Sequence, residues 1–250
     1  MKIDETNDEK LNKDLDSYDA FIVVSPIKGS YDLFLKLIRS ESNIYFVDQP
    51  ELKTPDLSLL EQAANESGNI LQPEIKELHH PLIQDFISSQ NNHLLFRYSK
   101  SISGKKYIRE SVLSALSFLS LLSSMPVKKI DINSIETTKS GRPAIKVRLK
   151  MYNSSICYII ITIDNQKEHE LLIETNSGNF IFNLAENYLE NIHGIKFKSE
   201  ETTDDDLVRK SLESFALNVI LNKKPIYSFH HYAQSLSILT KIENILIDNF

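Results

Sequence analysis

Glycine is scarce in this chain: six residues in 250, against a usual share of roughly 7%. The nearest two, Gly178 and Gly194, stand 16 residues apart. That spacing excludes the GxGxxG and GxxxxGK[ST] loops, whose glycines let backbone amides close on a phosphate. Cysteine is scarcer still. Cys157 stands alone, which excludes an internal disulfide, and its apolar surroundings suit a buried thiol rather than a nucleophile. Positive charge is not concentrated either: 28 Lys and Arg face 34 Asp and Glu, a net charge of −6, and basic residues gather in pairs such as Lys128-Lys129 and Lys223-Lys224. Nucleic acid, which needs a concentrated positive face, is not an expected partner. Long apolar runs are missing too. Ile156–Ile161 and Phe21–Val24 are of strand length, far short of the roughly 20 residues of a membrane span. The polar, acidic start MKIDETNDEKLNKDLD argues against a signal peptide, so the expected compartment is the cytoplasm.

What remains is a globular protein, 41% hydrophobic, long enough for one large or two ordinary domains. Its first part reads as α/β. Asp19–Ser25 is a continuous β-prone run that suits a parallel strand buried on both faces. Ser25-Pro26 and Gly29-Ser30 break it, Leu33, Phe34, Leu37 and Ile38 mark a helical face, and Ile44–Val47 is a second strand. Thr54-Pro55-Asp56 opens a helix in the order of cap, then proline at the first helical position, and Gly68 stops it. Asn69–Leu71 is a third short strand, and Pro81 starts another helix after His80.

From His93 the pattern becomes α+β. A strand at Leu94–Ser99 precedes a long helix at Tyr107–Leu122, whose apolar residues recur at helical spacing. Strands follow at 127–136, 144–152, 156–163, 170–174 and 179–184, separated by turn signals such as Ser140-Gly141-Arg142-Pro143. Consecutive strands imply a mostly antiparallel sheet. Two helices, Leu207–Leu221 and Tyr232–Ile247, close the chain around Pro225. The expected organisation is a Rossmann-like parallel sheet over 1–92, without its first strands, then a domain over 93–250 with a large, mostly antiparallel open sheet and helices on one face.

In this order the elements, and several short motifs, resemble the glucose–fructose oxidoreductase / inositol dehydrogenase (Gfo/Idh/MocA) family over nearly the whole chain. A family strand ending D-A-V-x-I-x-T-P is matched by Asp19-Ala20-Phe21-Ile22-Val23-Val24-Ser25-Pro26, and its E-K-P by Asp48-Gln49-Pro50. The stretch Gly68–Gln72 matches what precedes the family's G-H-x-x-R-F-x-P segment, here Glu74–Pro81. Leu212, Phe215 and Ile220, then Lys223-Lys224-Pro225 and a last helix, match its ending.

The resemblance implies a dehydrogenase with NAD(P), and the departures from it bear on that chemistry. The chain starts after the family's glycine-rich strand-and-helix unit. Gln49 replaces the lysine of E-K-P, and an amide neither transfers a proton nor forms an ion pair. The family's D-x-x-x-H helix becomes Glu110 and Ser114, and a serine has no pKa near 7. Ser30 stands where a histidine often follows the T-P turn.

Residual candidates remain. Glu110, Ser114, Gln49 and His79 are the catalytic ones, and Ser25, Pro26, Lys28 and Ser30, after the first strand, the cofactor-binding ones, because parallel sheets place ligands at the carboxyl ends of their strands. For each there is a plain structural alternative. Lys28 reads also as a solvent lysine, Glu74, Lys76 and Glu77 as a solvated charged run, His79-His80 as a polar loop, and His230-His231 as a surface or capping pair. Neither histidine pair has the spacing of a helical metal pair, so no metal site is expected.

Two readings follow. In one, the chain is a degenerate relative without NAD(P)-dependent activity and with no cofactor, acting as a binding or accessory subunit in a homodimer, or in a heterodimer with a full-length homologue. The open sheet would be the interface, since Tyr158–Ile163 is apolar at both alternate sets. In the other, it is an enzyme acting on a sugar-like or hydroxy-acid-like small molecule in an interdomain cleft, with NAD(P) or without a cofactor.

Overall fold

A computed structural model describes residues 18–24, 30–47, 52, 54–81, 83–84, 87, 95–104, 107–122, 126–137, 143–164, 170–175, 178–183, 188–191, 196–198 and 203–248. The chain forms two compact units. The first comprises residues 1–76 and 204–234, the second 77–203 and 235–250. A division near residue 92 was expected from the change of pattern; the units instead divide after Lys76, and the closing helices return to the first unit through residue 234.

The first unit is built on a parallel sheet of β1 (Ala20–Val24), β2 (Asn43–Val47) and β3 (Leu71–Pro73), in that order. Helix α1 (Ser30–Arg39) connects β1 to β2 and α2 (Thr54–Ser67) connects β2 to β3, as parallel neighbours require. Gly68, at φ 75°, stops α2 with the amide of Asn69 donating to Ala64 O at 3.0 Å, a left-handed cap where a glycine has no Cβ to strain. Asn43 ties the three strands: its Nδ2 donates to Asp19 O at 3.0 Å, and its Oδ1 accepts from Ile70 N at 2.8 Å.

Central β2 is covered on both faces. Phe46 meets Phe34, Phe229 and Tyr232 on one side. Tyr45 meets Phe215 of helix α4 (Asp204–Leu221) on the other. Burying each such side chain stabilises the unit by about 1.5–3 kcal/mol. β1 departs from expectation. Phe21 and Val23 are buried, but Ile22 and Val24 are exposed, because β1 is the edge strand among the described residues and α4 packs over β2, leaving that side of β1 open.

The second unit carries an eight-stranded sheet. Its strands are β4 (Leu95–Ile102), β5 (Val127–Thr137), β6 (Pro143–Met151), β7 (Ile156–Ile163), β8 (Glu170–Thr175), β9 (Gly178–Asn183), β10 (Tyr188–Asn191) and β11 (Lys196–Lys198). Their order is β11-β10-β9-β8-β4-β7-β6-β5. Among the described residues β4 pairs β7 in parallel and every other pair is antiparallel, so the sheet is open and mostly antiparallel, as expected. β10 and β11 were not anticipated: three or four residues are too few to show a period.

Helix α3 (Ile108–Leu122) lies on β4 and β7. Residues 111–119 are buried throughout. Serines make this possible, since Ser117 Oγ donates to Leu113 O at 2.8 Å and satisfies itself within the helix. The last helix, α5 (Phe229–Asp248), buries Leu236, Leu239 and Ile242, and Arg109 Nε donates to Glu243 Oε1 at 2.9 Å.

Candidate functional site

Strand β4 determines where the chemistry of the second unit sits. Its alternation points Phe96, Tyr98, Lys100 and Ile102 to one side, and Tyr98 identifies that side as the helix side: its ring lies 5.9 Å from that of Phe118, and its hydroxyl 3.4 Å from Ser114 Oγ, both on α3. A lysine on this side of the strand needs an anion. Lys100 finds one in Glu77, which a single 3₁₀ turn, Lys76–His79, brings to the strand. Nζ donates to Oε1 at 3.5 Å, with the side chains 19% and 16% exposed. Burial works against the ammonium, but Tyr98, Glu77 and Glu110 act the other way and prevail, so the Lys100 pKa lies above its ordinary value. Burial raises the Tyr98 phenol.

The structure thus gathers two of the sequence candidates. Ser114 is buried against Tyr98, and Glu110, exposed in the first turn of α3, is within electrostatic reach of Lys100. His79 shares the turn with Glu77, half-buried, and burial holds its pKa below the ordinary histidine value. His79-His80 is not a polar loop: His80 is 1% exposed and Leu78 beside it is buried, because the turn folds inward. Nor are Glu74 and Glu77 solvated charges. Glu77 is paired, and Glu74 Oε1 accepts from the Tyr45 hydroxyl at 3.0 Å in the first unit. There Tyr45 Oη also lies 2.7 Å from Ser211 Oγ on α4.

Ser25, Pro26, Lys28 and Gln49 lie outside the described residues, and Ser30 opens α1. In register, Val24 neighbours Val47 and Phe46 neighbours Pro73, so the strand ends after which these candidates follow share one edge. His230-His231 is a surface and capping pair as expected. His231 Nδ1 accepts from Ser228 N at 3.2 Å, the reach-back of a capping box at the start of α5. His230 Nδ1 lies 2.6 Å from Glu61 Oε1. A shallow groove of about 400 Å³ runs along α2 beside Glu61, Gln62 and Glu66. Among the described residues no group of three or more His, Cys, Asp or Glu could hold a metal ion. Cys157 is buried, and burial raises its thiol pKa.

Sequence reasoning missed Lys100, Tyr98 and Tyr45. The signal for Lys100 was present: a lysine at an alternating position between Tyr98 and Ile102 reads as an inward charge that demands a partner.

No family model matches the chain, and no curated protein matches it by sequence. Solved structures do match. UDP-N-acetylglucosamine 3-dehydrogenase GnnA from Acidithiobacillus ferrooxidans superposes with a TM-score of 0.75 at 12% identity, over 93% of this chain and 79% of that one. A dehydrogenase (MviM) from Clostridium difficile gives 0.73 at 12%, over 98% and 83%. An NAD-binding oxidoreductase from Klebsiella pneumoniae gives 0.75 at 11%, over 95% and 81%. The chain therefore has the fold of the Gfo/Idh/MocA-type dehydrogenases.

Proposed function

We propose that this chain does not catalyse NAD(P)-dependent hydride transfer and instead acts as a binding or accessory subunit, in the cytoplasm, paired with itself or with a full-length homologue. The observation that carries the reading is Ser114. Where the resemblance implies a proton-accepting histidine, the structure has a buried hydroxyl 3.4 Å from a buried phenol. Neither oxygen accepts a proton from a substrate alcohol at neutral pH. No described helix is long and apolar enough to cross a membrane.

The open sheet supports pairing, with a qualification to its expected apolar character. On β7, Ile156, Tyr158 and Ile160 are half-buried on the side away from the buried Cys157, Ile159 and Ile161. Their neighbours on β6 are Lys146, Arg148 and Lys150, and Asp131 on β5 lies 3.9 Å from Arg148. The face is amphipathic, which suits a non-obligate interface.

The Lys100 cluster favours a second reading, an enzyme on a sugar-like or hydroxy-acid-like molecule with Lys100 holding a substrate oxygen. Titration with NADH and NADPH, following nicotinamide fluorescence, tests the first reading. No saturable change is expected up to millimolar cofactor; saturable binding in the micromolar range would overturn it.

A further inference from the structure

Helix α4 has two apolar faces, and the first unit uses one of them. Leu207, Ser211 and Phe215 point to the sheet, where Phe215 clusters with Tyr45 and Ile70. Half a turn away, Glu213, Ala216, Leu217, Ile220 and Leu221 recur at i, i+3, i+4, i+7 and i+8, the spacing of one helical face. Leu217, Ile220 and Leu221 are 56%, 76% and 54% exposed. Packing on the sheet requires only the first stripe, and a second, contiguous one marks an interaction surface.

We infer that this outer stripe binds a second copy of the chain as an antiparallel helix pair across a two-fold axis. The order of its residues is self-complementary. With the axis between Asn218 and Val219, Leu217 meets the partner's Ile220, small Ala216 meets the partner's Leu221, and Glu213 meets the partner's Lys224. Asn222, at φ 49°, ends the helix, with the amide of Lys223 donating to Asn218 O at 2.9 Å, and exposed Lys224 follows two residues on. A two-fold axis places each contact twice. A parallel arrangement would set Glu213 beside the partner's Glu213 and Lys224 beside the partner's Lys224, so charge selects the antiparallel one. An acidic or a basic partner would satisfy one end of the stripe and oppose the other.

Light scattering on the full chain, with Tyr158→Lys on the sheet face as the comparison, tests this. Ile220→Lys should halve the mass of the wild-type particle while leaving its circular dichroism unchanged. Glu213→Lys and Lys224→Glu should each weaken association roughly tenfold near 0.1 M salt, and an equimolar mixture of the two should recover it, because both cross-pairs are then opposite in sign. A monomeric wild type, an unchanged mass for Ile220→Lys, or no recovery on mixing would overturn the inference. Loss of mass with Tyr158→Lys and not with Ile220→Lys would place association on the sheet alone, in keeping with the pairing proposed above, and would overturn the α4 inference equally.

Discussion

Lys100 Nζ donates to Glu77 Oε1 at 3.5 Å, joining a strand of the large sheet to the 3₁₀ turn that opens the second unit. The pair is mostly shielded from solvent, so each partner depends on the other for compensation of its charge. It also lies two residues along β4 from Tyr98, on the same side of the strand, and within electrostatic reach of Glu110 in the first turn of α3, which makes it the centre of a polar cluster that combines candidates expected from sequence with residues that were not.

Replacing Lys100 by Met should therefore lower stability by about 2 kcal/mol, since Glu77 would remain partly buried without its cation. Adding Glu77→Gln should return most of that loss. Urea unfolding of the two single variants and the double variant measures the coupling. Equal and additive losses would show the pair to be energetically idle. The pH dependence has a definite sign. Because the folded-state pKa of Lys100 is raised, its contribution is complete below the ordinary value of about 10.4 and is lost only as pH rises through the folded value, so this pair leaves stability flat between neutral pH and 9.

Ser114→Ala should cost about 0.5–1.5 kcal/mol, the net value of one hydrogen bond, with the Tyr98 phenol left short of a partner. Thermal unfolding reads this directly. Ser114→His is the sharper variant, because it reinstates the residue that the resemblance implies. The site is 6% exposed and closed by Tyr98 and Phe118, so overpacking should destabilise the variant by about 1–3 kcal/mol, and NADH formation from polyols or hydroxy acids should remain absent. Turnover in that variant would count against the accessory-subunit reading.

Much of this architecture was legible in the chain, because long elements announce themselves by period. The helix at Ile108–Leu122 and the strand at Ile156–Ile163 have boundaries within a residue of those expected. What was not legible depends on long-range neighbours. Phe21–Val24 has the apolar character of a central strand, and nothing local reveals that it lies at a sheet edge with Ile22 and Val24 exposed. Glu74 and Glu77 look like solvated charges until Tyr45 and Lys100, 29 and 23 residues away, are brought to them. Ser114 was found through the resemblance and Lys100 was not, since no motif contains it.

The capping of α5 makes a prediction for acid. His231 accepts from Ser228 N, which requires a neutral ring nitrogen, and burial together with His230 holds its pKa below the ordinary value. His79 is lowered by burial alone. A histidine depressed in the folded state contributes stability that is present above the unfolded value of about 6.5 and is lost as pH falls through the folded value. The thermal midpoint should accordingly drop between pH 7 and 5. His231→Gln should make that drop shallower, because glutamine keeps an acceptor for the Ser228 amide and does not titrate. An unchanged slope in the variant would show that His231 does not govern the acid limb.

The hydroxyl of Tyr45 offers the clearest separation of polar from apolar stabilisation. Its ring packs on Phe215, 5.4 Å between centroids, while the hydroxyl donates to Glu74 and lies against Ser211. Burial, and the charge of Glu74, raise its pKa against the opposing effect of Ser211, so the phenol stays neutral and keeps its proton for Glu74. Tyr45→Phe retains the ring contact and removes both hydrogen bonds, leaving Ser211, which is fully buried, without this partner. The expected cost is about 1–3 kcal/mol. Ser211→Ala added to Tyr45→Phe should cost little more, or recover some of the loss, because replacing both members of a buried pair removes the unsatisfied group that replacing one creates. Chemical denaturation of the two single variants and the double variant decides it. Additive losses would mean that Tyr45 and Ser211 stabilise the unit independently.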